Sequence, residues 1–186
     1  MPRAAIANSR KNQLSLLIYK ILLNENKIFI IIGAVTLLLL TGIVFLAGRT
    51  SNTAKVVTNQ AVKIATKSKS YDWGQIGINN GKVETVFDIE NQGSTTLKLF
   101  NVTTSCACTT AQLITEKGQS PLFGMHTKSD FVSEVAPGKK AMLKVVYDPL
   151  FHGPNGLGLI TREITVGTND ASNPKLVFNA TANVIK

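Results

Sequence analysis

The sequence predicts an all-β domain, an antiparallel β-sandwich of about seven strands, tethered to one N-terminal transmembrane helix. Three observations lead to this prediction. A stretch of twenty residues near the N-terminus contains no charged residue and no proline. After residue 70, seven short segments have the composition of strands and are separated by turn residues. In several of these segments, apolar and polar side chains alternate.

The apolar stretch is IFIIIGAVTLLLLTGIVFLA, residues 28–47. As a helix it would be ~30 Å long, which is the thickness of the hydrocarbon core of a bilayer. The apolar region of a cleaved signal peptide is shorter, about 7–15 residues, and small residues follow it at the cleavage site. Here Phe45 occupies one of the positions that cleavage requires to be small. We therefore predict a transmembrane helix over residues 28–48, retained as an uncleaved signal anchor.

The charges beside this helix do not decide its orientation, because four Lys or Arg residues lie within about twenty residues on each side. The lengths of the segments on the two sides of the helix decide its orientation instead. The short basic segment of residues 1–27 is predicted to be cytoplasmic, and the long C-terminal part to be extracytoplasmic, in a single-pass protein of the cell membrane. Leu14–Leu23, LSLLIYKILL, has two interpretations: an interfacial helix at the inner membrane surface, or a continuation of the anchor helix.

The net charge of +9 belongs to the N-terminal part of the chain. Residues 1–50 carry +5 and residues 51–69 carry +4, whereas residues 70–186 have ten basic and ten acidic side chains. A nucleic-acid-binding protein would carry its excess charge on the folded domain, so this class is excluded. The basic charge suits an anionic membrane surface instead. Residues 49–69 lack glycine, proline and aromatic residues and have few apolar ones, so we predict a basic polar tether.

Residues 70–186 are predicted to form the domain. The seven strand segments are YDWGQIGI, KVETVFDIEN, TTLKLFNVTT, CTTAQLI, KKAMLKVVYD, LITREITVGT and KLVFNATANVI. In the last segment one face would be apolar, formed by Leu176, Phe178, Ala180, Ala182 and Val184. Seven short strands in about 117 residues are typical of an immunoglobulin-like antiparallel β-sandwich. Trp73, at the start of the first segment, is expected to pack against the core.

The motifs WGQI, VFDIEN, LKLFNV, SCACTT, PGKK, VVYDP, TVGTND and NPKL occur in this order within residues 71–186. Together they resemble the domain-of-unknown-function family 1573, whose members are similar to immunoglobulin-like domains of the major-sperm-protein and ciliary types. The most specific motif is Ser105–Thr109. The sequence departs from the family pattern at Ala107, where glycine is usual, and at residues 115–133, which resemble an insertion between strands. The resemblance implies a fold but no particular biochemical function.

Cys106 and Cys108 are the only cysteines in the chain, and three interpretations of this pair stay open. They could form a disulfide, structural or redox-active; they could be metal ligands; or they could be free buried thiols. In an extended strand the Cα atoms of residues i and i+2 are ~7 Å apart, at the outer limit for a disulfide. A bond between Cys106 and Cys108 therefore requires a bend in the chain.

A metal site would need ligands beyond the two cysteines, and the candidates are Met125, His126 and His152. Sulfur ligands with Met or His suit copper as Cu(I). Zinc fits less well, because the Cys-x-Cys spacing is tighter than that of the usual zinc knuckle. The competing interpretation of His126 and His152 is that both are ordinary loop residues.

These observations predict a binding or structural module of the cell envelope, which contacts the membrane and other envelope proteins. Two alternatives are copper or other soft-metal handling through the ligands named above, and a thiol–disulfide redox protein that uses the Cys-x-Cys pair. We predict no enzyme, no catalytic residue, no small-molecule substrate and no cofactor other than that copper ion. The sequence has no Gly-rich phosphate loop, no G-x-S-x-G motif and no pair of histidines at helical spacing.

Overall fold

The computed structural model describes residues 25–47 and 56–186. The predicted cytoplasmic segment up to residue 24, the helix Leu14–Leu23 and the first residues of the tether lie outside these ranges. The chain divides into two units, Met1–Ser51 and Asn52–Lys186.

In the first unit, helix α1 spans Glu25–Ala47. Its described side chains are mostly apolar and almost all are exposed. The hydroxyl groups of Thr36 and Thr41 donate hydrogen bonds to carbonyl oxygens one turn earlier, at 2.9 Å, so these polar groups are satisfied within the helix. Lys27–Phe45 is long and apolar enough to cross a membrane, a property shared by membrane anchors and N-terminal signal sequences.

In the second unit, the described residues form two five-stranded sheets. The first sheet has the strand order β1-β3-β8-β5-β6, and the second has the order β2-β10-β9-β4-β7. The strands are β1 (Ile64–Thr66), β2 (Ser70–Gly77), β3 (Val83–Asn91), β4 (Leu97–Thr104), β5 (Thr109–Thr115), β6 (Gly118–Gln119), β7 (Val132–Val135), β8 (Lys140–Tyr147), β9 (Gly158–Thr168) and β10 (Lys175–Ile185).

The predicted β-sandwich is confirmed, and each of the seven predicted segments overlaps one strand, namely β2, β3, β4, β5, β8, β9 and β10. The sequence did not predict the other three, β1, β6 and β7. These have two to four residues each and lie at sheet edges. Such short strands contain too few residues to display an alternating pattern.

One strand pair corrects the prediction that all pairs are antiparallel. β2 runs parallel to β10, from Ser70 opposite Asn179 to Gly77 opposite Ile185, whereas the other paired strands of the described domain are antiparallel. β2 also contains a bulge, at which Gly74 has a φ of +69°. Alternation indicates which side chains face the core, but it carries no information about the direction of the neighbouring strand.

The alternation predicted for β10 is confirmed. Its inward face is at most 2% exposed and consists of Leu176, Phe178, Ala180, Ala182 and Val184. The ring of Phe178 lies 4.9 Å, centroid to centroid, from that of Phe87 in β3 of the other sheet. The inner faces of the two sheets therefore meet at this aromatic pair.

The domain begins earlier in the chain than predicted, which corrects the tether assigned to residues 49–69. Val62 is 1% exposed in the core, and β1 pairs with β3. The backbone N–H of Asn59 donates to the carbonyl oxygen of Asn169 at 2.7 Å. The apolar residues of this segment are too few to build a core, but they can join one that the later strands build.

The segment of residues 115–133, predicted as an insertion, is part of both sheets. After β6 forms a hairpin with β5, Phe123 exchanges two backbone hydrogen bonds of 2.8 Å with Ala111 and is 2% exposed. The chain then crosses to the second sheet, where β7 pairs with β4. The segment therefore contributes a core side chain and an edge strand.

The loop between β9 and β10 holds a buried carboxylate that also contacts the start of β1. Burial alone would raise the pKa of Asp170. Hydrogen bonds from the Asn173 side chain and from the backbone N–H groups of Ser172, Ile64 and Asn173 nevertheless lower the pKa of Asp170 below its ordinary value. The side-chain amide of Asn173 and the N–H of Ser172 are 3.0 and 2.8 Å from the carboxylate oxygens.

The domain is therefore expected to lose stability in acid. Because the pKa of Asp170 is lower in the folded chain than its unfolded value of 3.8, the ionised carboxylate stabilises the fold above that value. This contribution disappears as the pH falls through the folded pKa. Urea unfolding followed by the fluorescence of Trp73, between about pH 7 and about pH 2, should give a free energy of unfolding that depends less on pH in Asp170→Asn than in the wild type.

Exposed Asp130 provides the control: Asp130→Asn should keep the wild-type profile. Identical profiles for Asp170→Asn and wild type would contradict this assignment.

Candidate functional site at the disulfide

The two cysteines lie in a tight turn between β4 and β5. The hydroxyl of Thr104 is 3.0 Å from the carbonyl oxygens of Cys106 and Thr109, and the N–H of Thr109 donates to the carbonyl oxygen of Cys106 at 3.1 Å. The Cα atoms of Cys106 and Cys108 are 5.2 Å apart, compared with ~7 Å in an extended strand. The turn therefore supplies the bend that a bond between these residues requires.

The two sulfur atoms are joined in a disulfide, and the described residues contain no free cysteine. The two half-cystines differ in their surroundings. Cys108 is 3% exposed and packs in an apolar cluster with Ile76 and Tyr147. Cys106 is only half-buried. One half-cystine of the disulfide is therefore protected by the core and the other lies towards the surface.

Both sheets hold the turn in place. The carbonyl oxygen of Cys108 accepts a hydrogen bond of 2.9 Å from the N–H of Asp148, which follows β8 in the first sheet. Ser105 and Glu163, the latter on β9 of the second sheet, exchange two hydrogen bonds of 2.9 Å. The disulfide is thus attached to a rigid frame and not to a mobile loop.

The loop between β8 and β9 brings His152 to the disulfide. The Nε2 atom of His152 is 3.3 Å from Sγ of Cys106. The ring of Phe151 packs edge-on against the imidazole, with a centroid distance of 5.0 Å. Gly153 follows with a φ of +54°, and its N–H donates to the carbonyl oxygen of Leu150 at 2.8 Å. The imidazole is exposed to solvent on its remaining sides.

An aromatic stack lies behind the buried sulfur. The rings of Trp73 and Tyr147 are stacked at 5.9 Å, and the guanidinium of Arg162 is 5.2 Å from the centre of the Tyr147 ring. The indole N–H of Trp73 donates to the carbonyl oxygen of Glu84 at 3.1 Å. Trp73 packs against the core, as the sequence predicts, and belongs to the wall of the cluster that contains Cys108.

The structure brings together three of the five predicted metal ligands. The ligand atoms of Cys106, Cys108 and His152 lie within 4.8 Å of one another. Met125 and His126 are exposed in the segment after Phe123, and His126 does not belong to this group. Because thiolates and not disulfide sulfurs are the metal ligands, the pair could bind a metal ion only after reduction.

The sequence named His152 as a candidate metal ligand. It gave no reason to prefer His152 to His126, because 46 residues separate His152 from Cys106. Sequence reasoning missed Thr104 and Phe151, which set the turn and the orientation of the imidazole. A threonine just before a cysteine pair and an aromatic residue beside a histidine in a Gly- and Pro-containing loop were the available signals. Both patterns are common enough to carry little weight.

The two packed sheets, with edge strands at β1, β6, β2 and β7, define an immunoglobulin-like β-sandwich domain preceded by an apolar helix. Residues 64–121 match the family described as "Protein of unknown function (DUF1573)". The resemblance found in the sequence is therefore confirmed over this range, which includes β1 and the disulfide. No curated protein matches the chain.

Solved structures resemble the domain at low sequence identity. A protein of unknown function from Porphyromonas gingivalis W83 is 22% identical with a TM-score of 0.51, and the match covers 69% of this chain and 49% of that one. The chain thus spans about half the length of that protein. The ASH/PapD-like domain 7 of human CEP192 is 16% identical with a TM-score of 0.45, over 74% of this chain and 96% of that one. The likeness to the Porphyromonas protein concerns the fold alone.

Proposed function

We propose that the protein is a membrane-anchored binding module of the cell envelope, in which α1 holds the β-sandwich on the extracytoplasmic side. One observation carries the proposal: the nineteen residues of Lys27–Phe45 are predominantly apolar, and none of the span is buried. An exposed apolar helix of this length is stabilised by a lipid bilayer and not by water. The disulfide supports the extracytoplasmic location, because disulfides persist in oxidising compartments.

Membrane extraction with alkaline carbonate tests the anchor. The full chain is expected to stay in the membrane fraction with its complete mass, and an added protease should degrade the domain on the extracytoplasmic face of right-side-out vesicles. Leu38→Lys with Leu39→Lys should release the protein, because a lysine at the helix centre disfavours insertion by about 2.5–3.5 kcal/mol. Leu159→Lys, at a side chain 89% exposed in the domain, is the matched control and should leave the protein in the membrane.

Two outcomes would overturn the assignment of α1 as a membrane anchor. A mature protein that lacks the apolar stretch would identify it as a cleaved signal sequence. A full-length protein that carbonate extracts as readily as the double lysine variant would identify it as a peripheral helix.

The binding role is supported by an exposed apolar surface beside the disulfide. Leu150 and Phe151 are 55% and 54% exposed, although both are large and apolar. Next to them is a depression of about 310 Å³ with mostly apolar walls, to which Ile78, Pro154 and Leu157 contribute. Exposed apolar surface at loops on a rigid scaffold is typical of protein-contact sites. We expect the partner to be another envelope protein that inserts an apolar side chain here.

A photo-crosslinking residue introduced at position 151 tests this surface in intact cells. We expect one discrete protein adduct, which disappears when Leu150→Ser is added. Leu122, which is 60% exposed in the segment between β6 and β7, is the control position and should give no such adduct. Equal adducts at both positions, adducts with lipid alone, or no adduct at position 151 would contradict a specific protein contact.

A further inference from the structure

We infer that the Cys106–Cys108 disulfide is an exchangeable redox centre that oxidises dithiols of cysteine-containing polypeptides, with Cys106 as the sulfur that is attacked and His152 as the group that stabilises its thiolate. This inference is independent of the binding role proposed above, and it does not require that the partner at Phe151 be the source of the thiols.

The position of the disulfide argues against a purely structural role. A disulfide stabilises a fold mainly by restricting the unfolded chain, and this effect grows with the number of residues in the closed loop. Here the two half-cystines are separated by Ala107 alone. The turn is already held by Thr104, Asp148 and Glu163, so the bond adds little constraint that the hydrogen bonds do not supply.

The two half-cystines are arranged as an attacked sulfur and a leaving sulfur. Thiol–disulfide exchange begins when a thiolate approaches one sulfur along the line of the bond, so access selects the sulfur that reacts. Cys106 is half-buried and faces the exposed imidazole, whereas Cys108 is 3% exposed among apolar side chains. Within the described residues, Cys106 is therefore the half-cystine that a thiolate from another polypeptide can reach.

His152 is placed to favour the reduced state. Its Nε2 atom is 3.3 Å from Cys106 Sγ, and Phe151 holds the ring on its other side. An imidazole N–H at this distance can donate a hydrogen bond to a thiolate, whereas a neutral disulfide sulfur is only a weak acceptor. A group that stabilises only the reduced form makes the disulfide a stronger oxidant.

The exchange balances with a dithiol as the only co-reactant. A substrate thiolate attacks Cys106 Sγ, the Cys106–Cys108 bond breaks, and Cys108 leaves as a thiolate that takes up a proton. The second substrate thiolate then attacks the substrate sulfur of the mixed disulfide, and Cys106 leaves as a thiolate beside His152. The substrate loses two electrons and gains a disulfide, and the Cys106–Cys108 pair gains both electrons.

Equilibration of the full chain in detergent with mixtures of reduced and oxidised glutathione tests the inference. After acid quenching and alkylation, the intact mass gives the fraction with two alkylated thiols. We expect reversible reduction in the wild type, and a shift of about tenfold towards the disulfide in His152→Ala, equivalent to about 30 mV. His126→Ala removes the other histidine of the chain and should leave the equilibrium unchanged.

Single cysteine variants test which sulfur is attacked. Cys108→Ser leaves Cys106 as the thiol, and we expect it to form a mixed disulfide with oxidised glutathione at least about tenfold faster than Cys106→Ser, which leaves the buried thiol. Fluorescence of Trp73 verifies that each variant is folded. The inference fails if the wild-type disulfide resists every glutathione mixture while the domain stays folded, or if both histidine variants shift the equilibrium equally. Equal rates for the two cysteine variants would overturn the assignment of Cys106.

Discussion

Replacement of Phe178 by alanine is expected to lower the free energy of unfolding of the domain by about 3–5 kcal/mol. Phe178 is fully buried on β10, and its ring contacts that of Phe87 across the sandwich at 4.9 Å. The substitution loses both the burial of the ring and the aromatic contact, and the rigid sheets on either side cannot close the resulting cavity. Since small domains are stable by about 5–15 kcal/mol in total, the loss is a large fraction of the stability.

The measurement is urea unfolding followed by tryptophan fluorescence. Trp73 is the only tryptophan in the chain and stacks on Tyr147, so its signal reports the domain and not the helix. Phe151→Ala is the matched control, because it makes the same chemical change at a ring that is 54% exposed, and it should cost less than about 1 kcal/mol. Similar losses in the free energy of unfolding for the two variants would mean that the two sheets do not meet at Phe178.

Replacement of Gly93 by alanine is expected to lower the free energy of unfolding by about 3 kcal/mol, at the upper end of the range for overpacking. A Cβ atom at this position would collide with the carbonyl oxygen of Ala61 and would lie 2.6 Å from the backbone nitrogen of Lys63. These are backbone atoms, so no side-chain rotation can relieve the contact. The segment that leads into β1 must move away from the turn after β3.

Hydrogen exchange can detect this movement directly. The N–H groups of Gln92 and Ser94 donate to the carbonyl oxygens of Lys63 and Ala61 at 2.8 and 3.1 Å, and their protection should be lost in Gly93→Ala. Gly124→Ala is the matched control: the nearest atom to its added Cβ is 3.7 Å away, so both stability and protection should stay close to wild type. If the two glycine variants behave alike, the close approach at Gly93 is not a constraint on the fold.

The sequence predicted the sandwich from features that depend on side chains alone. The apolar face of β10 follows from a period of two, and the turns between strands follow from glycine, proline and asparagine. β1 could not be predicted in this way, because Val62 enters the core and Ile64 packs against it only when strands from elsewhere in the chain surround them. The parallel direction of β2 likewise depends on which strand becomes its neighbour.

The candidate site was predictable only in part for the same reason. The Cys-x-Cys motif identified the two sulfurs, and the geometry of strands indicated that a bond between them needs a bend. The contact of Cys106 with His152 connects residues 46 positions apart, and no spacing rule applies at that distance. It depends on the turn after β4 and the loop after β8 meeting at the same end of the sheets, which is a property of the fold as a whole.

The parallel pairing of β2 with β10 has a mechanical consequence. Because the two strands run in the same direction, a tensile force applied between Ser70, at the start of β2, and Ile185, at the end of β10, pulls them past each other lengthwise. All six registered residue pairs then carry the load together, whereas an antiparallel pair pulled from adjacent ends would open one hydrogen bond at a time. The domain is therefore built to resist rupture by shear along the line between these two strand ends.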